Sequence, residues 1–295
     1  MSRGDIAEIK ALPSEEFASA WRSIKLDDAA IAERLVAHVV SGLSLRRAIP
    51  FDRAPVHGLV VLTGPPGTGK TTLAHGLSDR VARMLPKEKV RFLQVDPHAL
   101  ASAALGKSQQ QTTQLFTRTI AEAAMSGPVI VLLDEVETLA GSRKRMSLEA
   151  NPIDVHRATD AVLAGMDYLA RNEPNAVFIA TTNFQEAVDE ALLSRADLVE
   201  LIPLPGYAAR CEIIDDVLAA LKEAWPKLAR LSDDIPAYAT ASEGLDGRQL
   251  RKAVLGALSQ SLEIAKNPAL LNSQHILQSI RSRTLQLEKK SREAA

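Results

Sequence analysis

The chain has 295 residues, 46% hydrophobic and 24% charged, with 35 basic residues against 36 acidic for a net charge of -1. That length supports one large domain or two modest ones with sizeable cores, so neither disulfides nor structural metals are required. The charge balance argues against a coat for nucleic acid or an anionic membrane. The single cysteine, Cys211, cannot close an internal disulfide, which fits a reducing compartment. No stretch reaches the roughly eighteen apolar residues of a membrane span, and MSRGDIAEIKALPSEEF lacks the apolar centre of a signal peptide. A soluble, cytoplasmic protein is expected.

In chain order, the first 55 residues read as one or two helices (LDDAAIAERLVAHVV) leading into a sheet. Short apolar runs then recur at Leu59 to Thr63, Val90 to Asp96, Val129 to Asp134, Ala176 to Thr181 and Leu198 to Ile202. Each is rich in branched residues, as a strand buried on both faces should be. Helical patterns separate them at Thr71 to Met84, Gln109 to Met125 and Ile153 to Ala170. This alternation predicts an α/β fold with a parallel sheet covered on both sides. Past Pro203 and Pro205 only helical patterns follow, punctuated by Pro226, Pro236 and Pro268. The expected organisation is a lead-in over 1–55, an α/β domain over 56–205 and a small helical domain over 206–295.

Gly64 to Thr71 reads GPPGTGKT, a full match to G-x-x-x-x-G-K-[ST] between an apolar strand and a helix. Backbone amides must wrap the phosphates, and glycine permits the dihedrals and the close approach. Lys70 would neutralise the β- and γ-phosphates, the Thr71 hydroxyl would ligate Mg²⁺, and the helix would aim its dipole at the same anions. VIVLLDEVETLA then ends an apolar strand in Asp134-Glu135. In a phosphate-loop enzyme Asp134 holds the Mg²⁺ shell and Glu135 polarises the attacking water. Glu137 reads either as part of that acidic group or as a solvated helix residue.

The fourth run finishes in Thr181-Thr182-Asn183. The Asn183 amide would help position the lytic water, cap the following helix QEAVDEALL, or do both. Arg195, in LLSRAD, by itself reads as a helix-dipole partner rather than a catalyst. Arg248 opens the helix of GLDGRQLRK, where the dipole disfavours a cation and a phosphate would supply the missing anion; Arg251 and Lys252 share its face.

Taken in order, GPPGTGKT, LLDEVETLA, TTN, SRAD and GLDGR resemble the AAA+ ATPases. More narrowly, DEVETLA, the RATDAVLAGMD helix, the bare SRAD and GLDGR resemble the pachytene checkpoint protein 2 family, the thyroid-receptor-interactor type of remodeller, from about Leu12 to the end. The resemblance implies a three-layer AAA+ ATPase domain followed by an all-helical lid. It implies that Gly64, Pro65, Pro66, Gly67, Thr68, Gly69, Lys70, Thr71 and Thr72 form the Walker A loop, with Asp134 and Glu135 as the Walker B pair. Asn183 becomes sensor 1, Arg248 sensor 2, and Arg195 an arginine finger acting on the ATP of a neighbouring subunit in a ring, usually a hexamer. The substrate it implies is a HORMA-domain protein whose flexible N-terminus is pulled through the pore.

Two departures from that family stand out. The separate N-terminal docking domain of eukaryotic members is expected to be missing, as in the short bacterial forms that accompany HORMA proteins and CD-NTases in CBASS anti-phage operons and restrain their signalling. The pore loop, SAALGKS, offers Ala104-Leu105-Gly106 without an aromatic, so limited threading of a loose tail is expected rather than unfolding of a stable domain. Ser142 to Asn151 would be a second pore loop. A helicase-loader type of AAA+ machine and a non-hydrolysing ATP scaffold are the competing classes. Balanced charge and the lack of a DNA-binding module oppose the first, and Glu135 opposes the second. The six histidines show no metal-binding spacing.

Overall fold

The computed structural model describes residues 6–96, 107–138 and 152–293. Its first part runs β1 (Ile6–Leu12), α1 (Glu15–Ser23), α2 (Ala29–Ala48), β2 (Leu59–Thr63), α3 (Lys70–Met84), β3 (Val90–Val95), α4 (Lys107–Gln114) and α5 (Ala121–Met125). It continues through β4 (Val129–Leu133), α6 (Pro152–Asn172), β5 (Ala176–Thr182), α7 (Glu190–Leu193) and β6 (Leu198–Leu201). The six strands form one sheet in the order β1-β3-β4-β5-β2-β6, with every pair parallel except β1 on β3.

The apolar runs become strands for the expected reason. Every residue of β2, β4 and β5 is buried, so these strands must be apolar on both faces. Alternate residues such as Leu59, Val61, Val131 and Phe178 join a core with Phe116, Val162 and Met166. The helical pattern over Gln109 to Met125 spans α4 and α5, joined by a π-helical turn at Leu115–Ile120 that keeps Leu115, Phe116 and Ile120 buried.

One expectation is corrected. The first 55 residues are not solely helical, because β1 adds an antiparallel edge strand to the otherwise parallel sheet. The signal is inverted there: Ile9 points to solvent, while Glu8 and Lys10 occupy inward positions. Lys10 pairs with Glu8 at 2.7 Å and Glu16 at 2.6 Å, and its ammonium lies 4.5 Å from the Phe17 ring centroid. Inward-pointing charge is a recognised way to blunt a sheet edge. Helices α1 and α3 pack so closely that a methyl on Gly76 would collide with the Trp21 backbone.

By contacts the described residues fall into two compact units: 25–29, 65–69 and 203–293 form the second, and the remainder the first. The second unit contains α8 (Tyr207–Ala224), α9 (Ile235–Ala241), α10 (Gly247–Gly256), α11 (Leu262–Lys266) and α12 (Ser273–Glu293) around Ile214, Leu218, Tyr238, Leu250, Val254, Ile276 and Ile280. Gly206 cannot cap α8 with a side chain, so Asp27 does it from afar, accepting from the Gly206 and Ala209 N–H groups.

Candidate active site

Parallel pairing brings the carboxyl ends of β2, β4 and β5 to one edge of the sheet, the edge where open α/β sheets hold ligands. The loop after β2 carries three left-handed glycines: Gly64 (φ 142°), Gly67 (φ 80°) and Gly69 (φ 91°). A methyl on Gly64 would run into the Ile202 carbonyl, and one on Gly67 into the Asp246 carboxylate. No other residue fits either position, which explains the glycine spacing. Pro65 and Pro66 are exposed, and the Thr68 hydroxyl donates to the Pro65 carbonyl at 3.0 Å.

Lys70 opens α3. Its side chain is buried and donates to the Gly64 carbonyl at 2.8 Å. Burial pushes the ammonium below its ordinary range, opposed by Glu137 first and then by Asp134 and Glu135. Thr71 Oγ1 donates to Asp134 Oδ1 at 2.9 Å, and Thr72 follows it, half-buried, on the first turn of α3. Threonine hydroxyl and carboxylate together are hard oxygen donors, the set that suits Mg²⁺. The residues therefore fit the metal expected here.

The tip of β4 is held by β5. Thr181 Oγ1 donates to Asp134 and accepts the Glu135 N–H at 3.1 Å. Glu135 has φ 50°, the sole positive value outside glycine among the described residues, and its side chain is exposed. A left-handed glutamate costs of order 1–3 kcal/mol, so the surroundings must over-determine it, and such strain concentrates at functional sites. Nothing in the sequence signals this role for Thr181, because a threonine near a strand end carries no local mark of a cross-strand contact.

Glu137 is not a solvated helix residue. Its Oε1 accepts the Asn183 N–H at 3.3 Å, while its Oε2 is buried without a hydrogen-bond partner. The helix expected at QEAVDEALL is a 3₁₀ turn (Gln185–Ala187) followed by α7, whose cap is Asp189 accepting from Ala191 N–H at 2.8 Å. Capping therefore does not occupy the Asn183 side chain.

Arg195 lies just past α7. It donates Nε and Nη2 to the Asp167 carboxylate, both at 2.7 Å, and Nη1 to the Ala191 carbonyl. Asp197, two residues on, accepts the N–H groups of His57, Gly58 and Leu59, fixing the start of β2. Within the second unit, the glycine loop lies against α10: Asp246 caps that helix in a reciprocal box with Gln249, and the Gly67 carbonyl lies beside Gly247. Arg248 is exposed on that first turn, with no ion-pair partner among the described residues. Arg251 instead pairs with Asp216 at 3.5 Å. Ala104, Leu105, Gly106 and the Ser142 to Asn151 segment lie outside the described residues.

The model of the ATPase family associated with various cellular activities (AAA) matches residues 60–204, the stretch that holds the glycine loop, the acidic strand tip and Asn183. CD-NTase-associated protein 6 of Pseudomonas aeruginosa is 46% identical over 92% of this chain and 89% of its own length. The chain belongs to the AAA family of ATPases. This AAA ATPase is also homologous to pachytene checkpoint protein 2: the Gallus gallus homologue is 31% identical over 82% of the chain, which spans 61% of that relative. Among solved structures, Caenorhabditis elegans PCH-2 superposes with a TM-score of 0.75 at 26% identity, covering 94% of this chain and 75% of that one. A chain from the HORMA:CdnC:Trip13 complex of Escherichia coli MS115-1 superposes with a TM-score of 0.73 at 19% identity, over 94% of this chain and 95% of that one, a likeness of fold.

Proposed function

We propose that the protein hydrolyses ATP to drive remodelling of a HORMA-domain protein complex, and so restrains HORMA/CD-NTase anti-phage signalling in the cytoplasm. The observation that carries the ATPase part is the Thr71–Asp134–Thr181–Glu135 network at the carboxyl edge of the sheet. The names of the relatives support the partner: one is CD-NTase-associated, and another stands in a complex with a HORMA protein. No helix among the described residues is long and apolar enough to cross a membrane.

In this reading Gly64 to Thr72 wrap the phosphates with backbone amides, and Lys70 supplies the charge that the bound anion demands. Thr71 and Asp134 would hold Mg²⁺, which when bound neutralises phosphate charge. Glu135, projected into solvent by its strained backbone, accepts a proton from the attacking water. Asn183 orients that water. Arg195 acts as a finger on the nucleotide of a neighbouring subunit, which requires a ring, and a hexamer is the form proposed. Arg248 is the proposed sensor 2 residue, and the proposed domains are an ATPase domain over 56–205 and a helical lid over 206–295. Ala104, Leu105 and Gly106 line the pore and grip a loose tail.

The deciding experiment incubates the protein with Mg²⁺-ATP and a HORMA–CD-NTase complex, following phosphate release and the complex by size-exclusion chromatography. ATP-dependent dissociation supports the reading. Hydrolysis with the complex intact leaves an ATPase of another substrate, and absence of hydrolysis removes the enzyme itself.

A further inference from the structure

His57 sits immediately before β2, outside the residues proposed for catalysis. Its backbone is fixed, because its N–H and those of Gly58 and Leu59 all donate to Asp197. Its ring is held as well, standing edge-on to Phe51 with centroids 5.0 Å apart. Phe51 in turn carries the Arg171 guanidinium 4.7 Å from its own centroid. Held in this way, His57 Nε2 lies 3.4 Å from Asp167 Oδ1, the oxygen that also receives Arg195 Nε at 2.7 Å. The contacts close a circuit from Arg195 to Asp167, to His57, to Asp197, and back along the chain to Arg195. A partly exposed ion pair that can swivel gains little, since ordering two side chains costs entropy. A third group on the carboxylate removes that freedom.

We infer that His57 is a positioning residue for Arg195: donating from Nε2, it steadies the Asp167 carboxylate that orients the guanidinium. The inference rests on the proposed reading of Arg195 as a finger. Arg195 already spends Nε and Nη2 on Asp167 and Nη1 on the Ala191 carbonyl. The hydrogens left on Nη1 and Nη2 therefore reach an outside anion only in the direction that Asp167 sets. A misplacement of about 1 Å can cost a reaction of order 10²-fold, so a steady carboxylate matters to turnover. Burial holds the His57 ring below its ordinary pKa, opposed by Asp197 and Asp167 and reinforced by Arg195. At neutral pH the ring is uncharged, so it can donate to Asp167 without adding a cation that competes with Arg195.

The test measures kcat at saturating Mg²⁺-ATP and nucleotide affinity by equilibrium titration, on the full chain. Thermal melting and size-exclusion elution control for folding and assembly. His57→Phe keeps a ring against Phe51 and removes the donor. It is expected to lower kcat about three- to tenfold while leaving nucleotide affinity within about twofold of wild type. His57→Gln supplies an amide N–H in place of Nε2 and is expected to restore kcat to within about twofold of wild type. Placed on Arg195→Ala, His57→Phe is expected to cost nothing further, because groups acting through one another are not additive. His57→Leu makes the same comparison if His57→Phe fails to fold. Wild-type kcat in His57→Phe overturns the inference, as does a His57→Gln variant equally slow. So does a full His57→Phe loss on top of Arg195→Ala. Wild-type turnover in Arg195→Ala itself overturns the finger reading, a result distinct from these.

Discussion

Asp167 receives both Nε and Nη2 of Arg195 at 2.7 Å in a bidentate pair, which fixes the orientation of the guanidinium. The Arg195 hydrogen bonds hold the Asp167 carboxyl below its ordinary range, and the pair therefore stays ionised through neutral pH. Arg195→Ala is expected to bind ATP normally and to lose turnover by about 10³-fold, as arginine fingers generally do. Asp167→Asn should lose less, because one acceptor oxygen remains to direct the guanidinium. Steady-state ATPase rates of the two variants, beside their nucleotide affinities, check that order.

The proposed ring has a sharper signature. Glu135→Gln should retain nucleotide and lose turnover, since an amide cannot take the proton of the attacking water. Mixed with Arg195→Ala it should recover some activity, because mixed rings contain junctions where an intact Glu135 meets an intact Arg195. Co-assembled subunits that show no recovery place the complete site within one chain.

Lys70→Ala should fail earlier, at binding. Loss of a charge-assisted bond is worth ~1.5–3 kcal/mol, so affinity for ATP should fall by about tenfold or more. Equilibrium titration with a fluorescent nucleotide gives the number directly; unchanged affinity would remove Lys70 from the phosphate site.

Acid should weaken the fold through two histidines. Burial lowers the pKa of both His57 and His75 below the ordinary value, so the native state resists a proton that the unfolded chain accepts. Their contribution is whole above an unfolded pKa of about 6.5 and is lost as pH falls through the lowered folded values. The melting temperature is expected to drop between about pH 6.5 and 5. His75 stacks on Phe17 with ring centroids 4.5 Å apart, so His75→Phe keeps the packing and should flatten part of that slope.

Substrate engagement makes a separate prediction. Leu105→Asp should lower HORMA release per ATP hydrolysed, because a carboxylate replaces the apolar grip proposed for SAALGKS. Size-exclusion profiles of the HORMA complex, normalised to phosphate released, measure it. Deleting the flexible HORMA tail should have the same consequence, and intact disassembly without a tail would sink the threading mechanism.

The glycine loop, the acidic pair and the buried strands were legible along the chain because each obeys a local constraint. Left-handed glycines, a lysine at a helix start and fully apolar strands leave their mark within a few residues. Strand β1 escaped because its inward positions hold Glu8 and Lys10, which only the Phe17 ring and Glu16 make tolerable. The partners of the candidate residues were equally out of reach. Thr181 meets Asp134, Glu137 meets Asn183, and Asp167 meets Arg195 across 47, 46 and 28 positions of sequence. The first two depend on strand register, where a slip of one residue turns a side chain to the opposite face, and the third on the packing of α6 near the end of α7. The chain alone thus determines which chemical groups are available, while the register of β4 against β5 and the packing of α6 decide which of them touch.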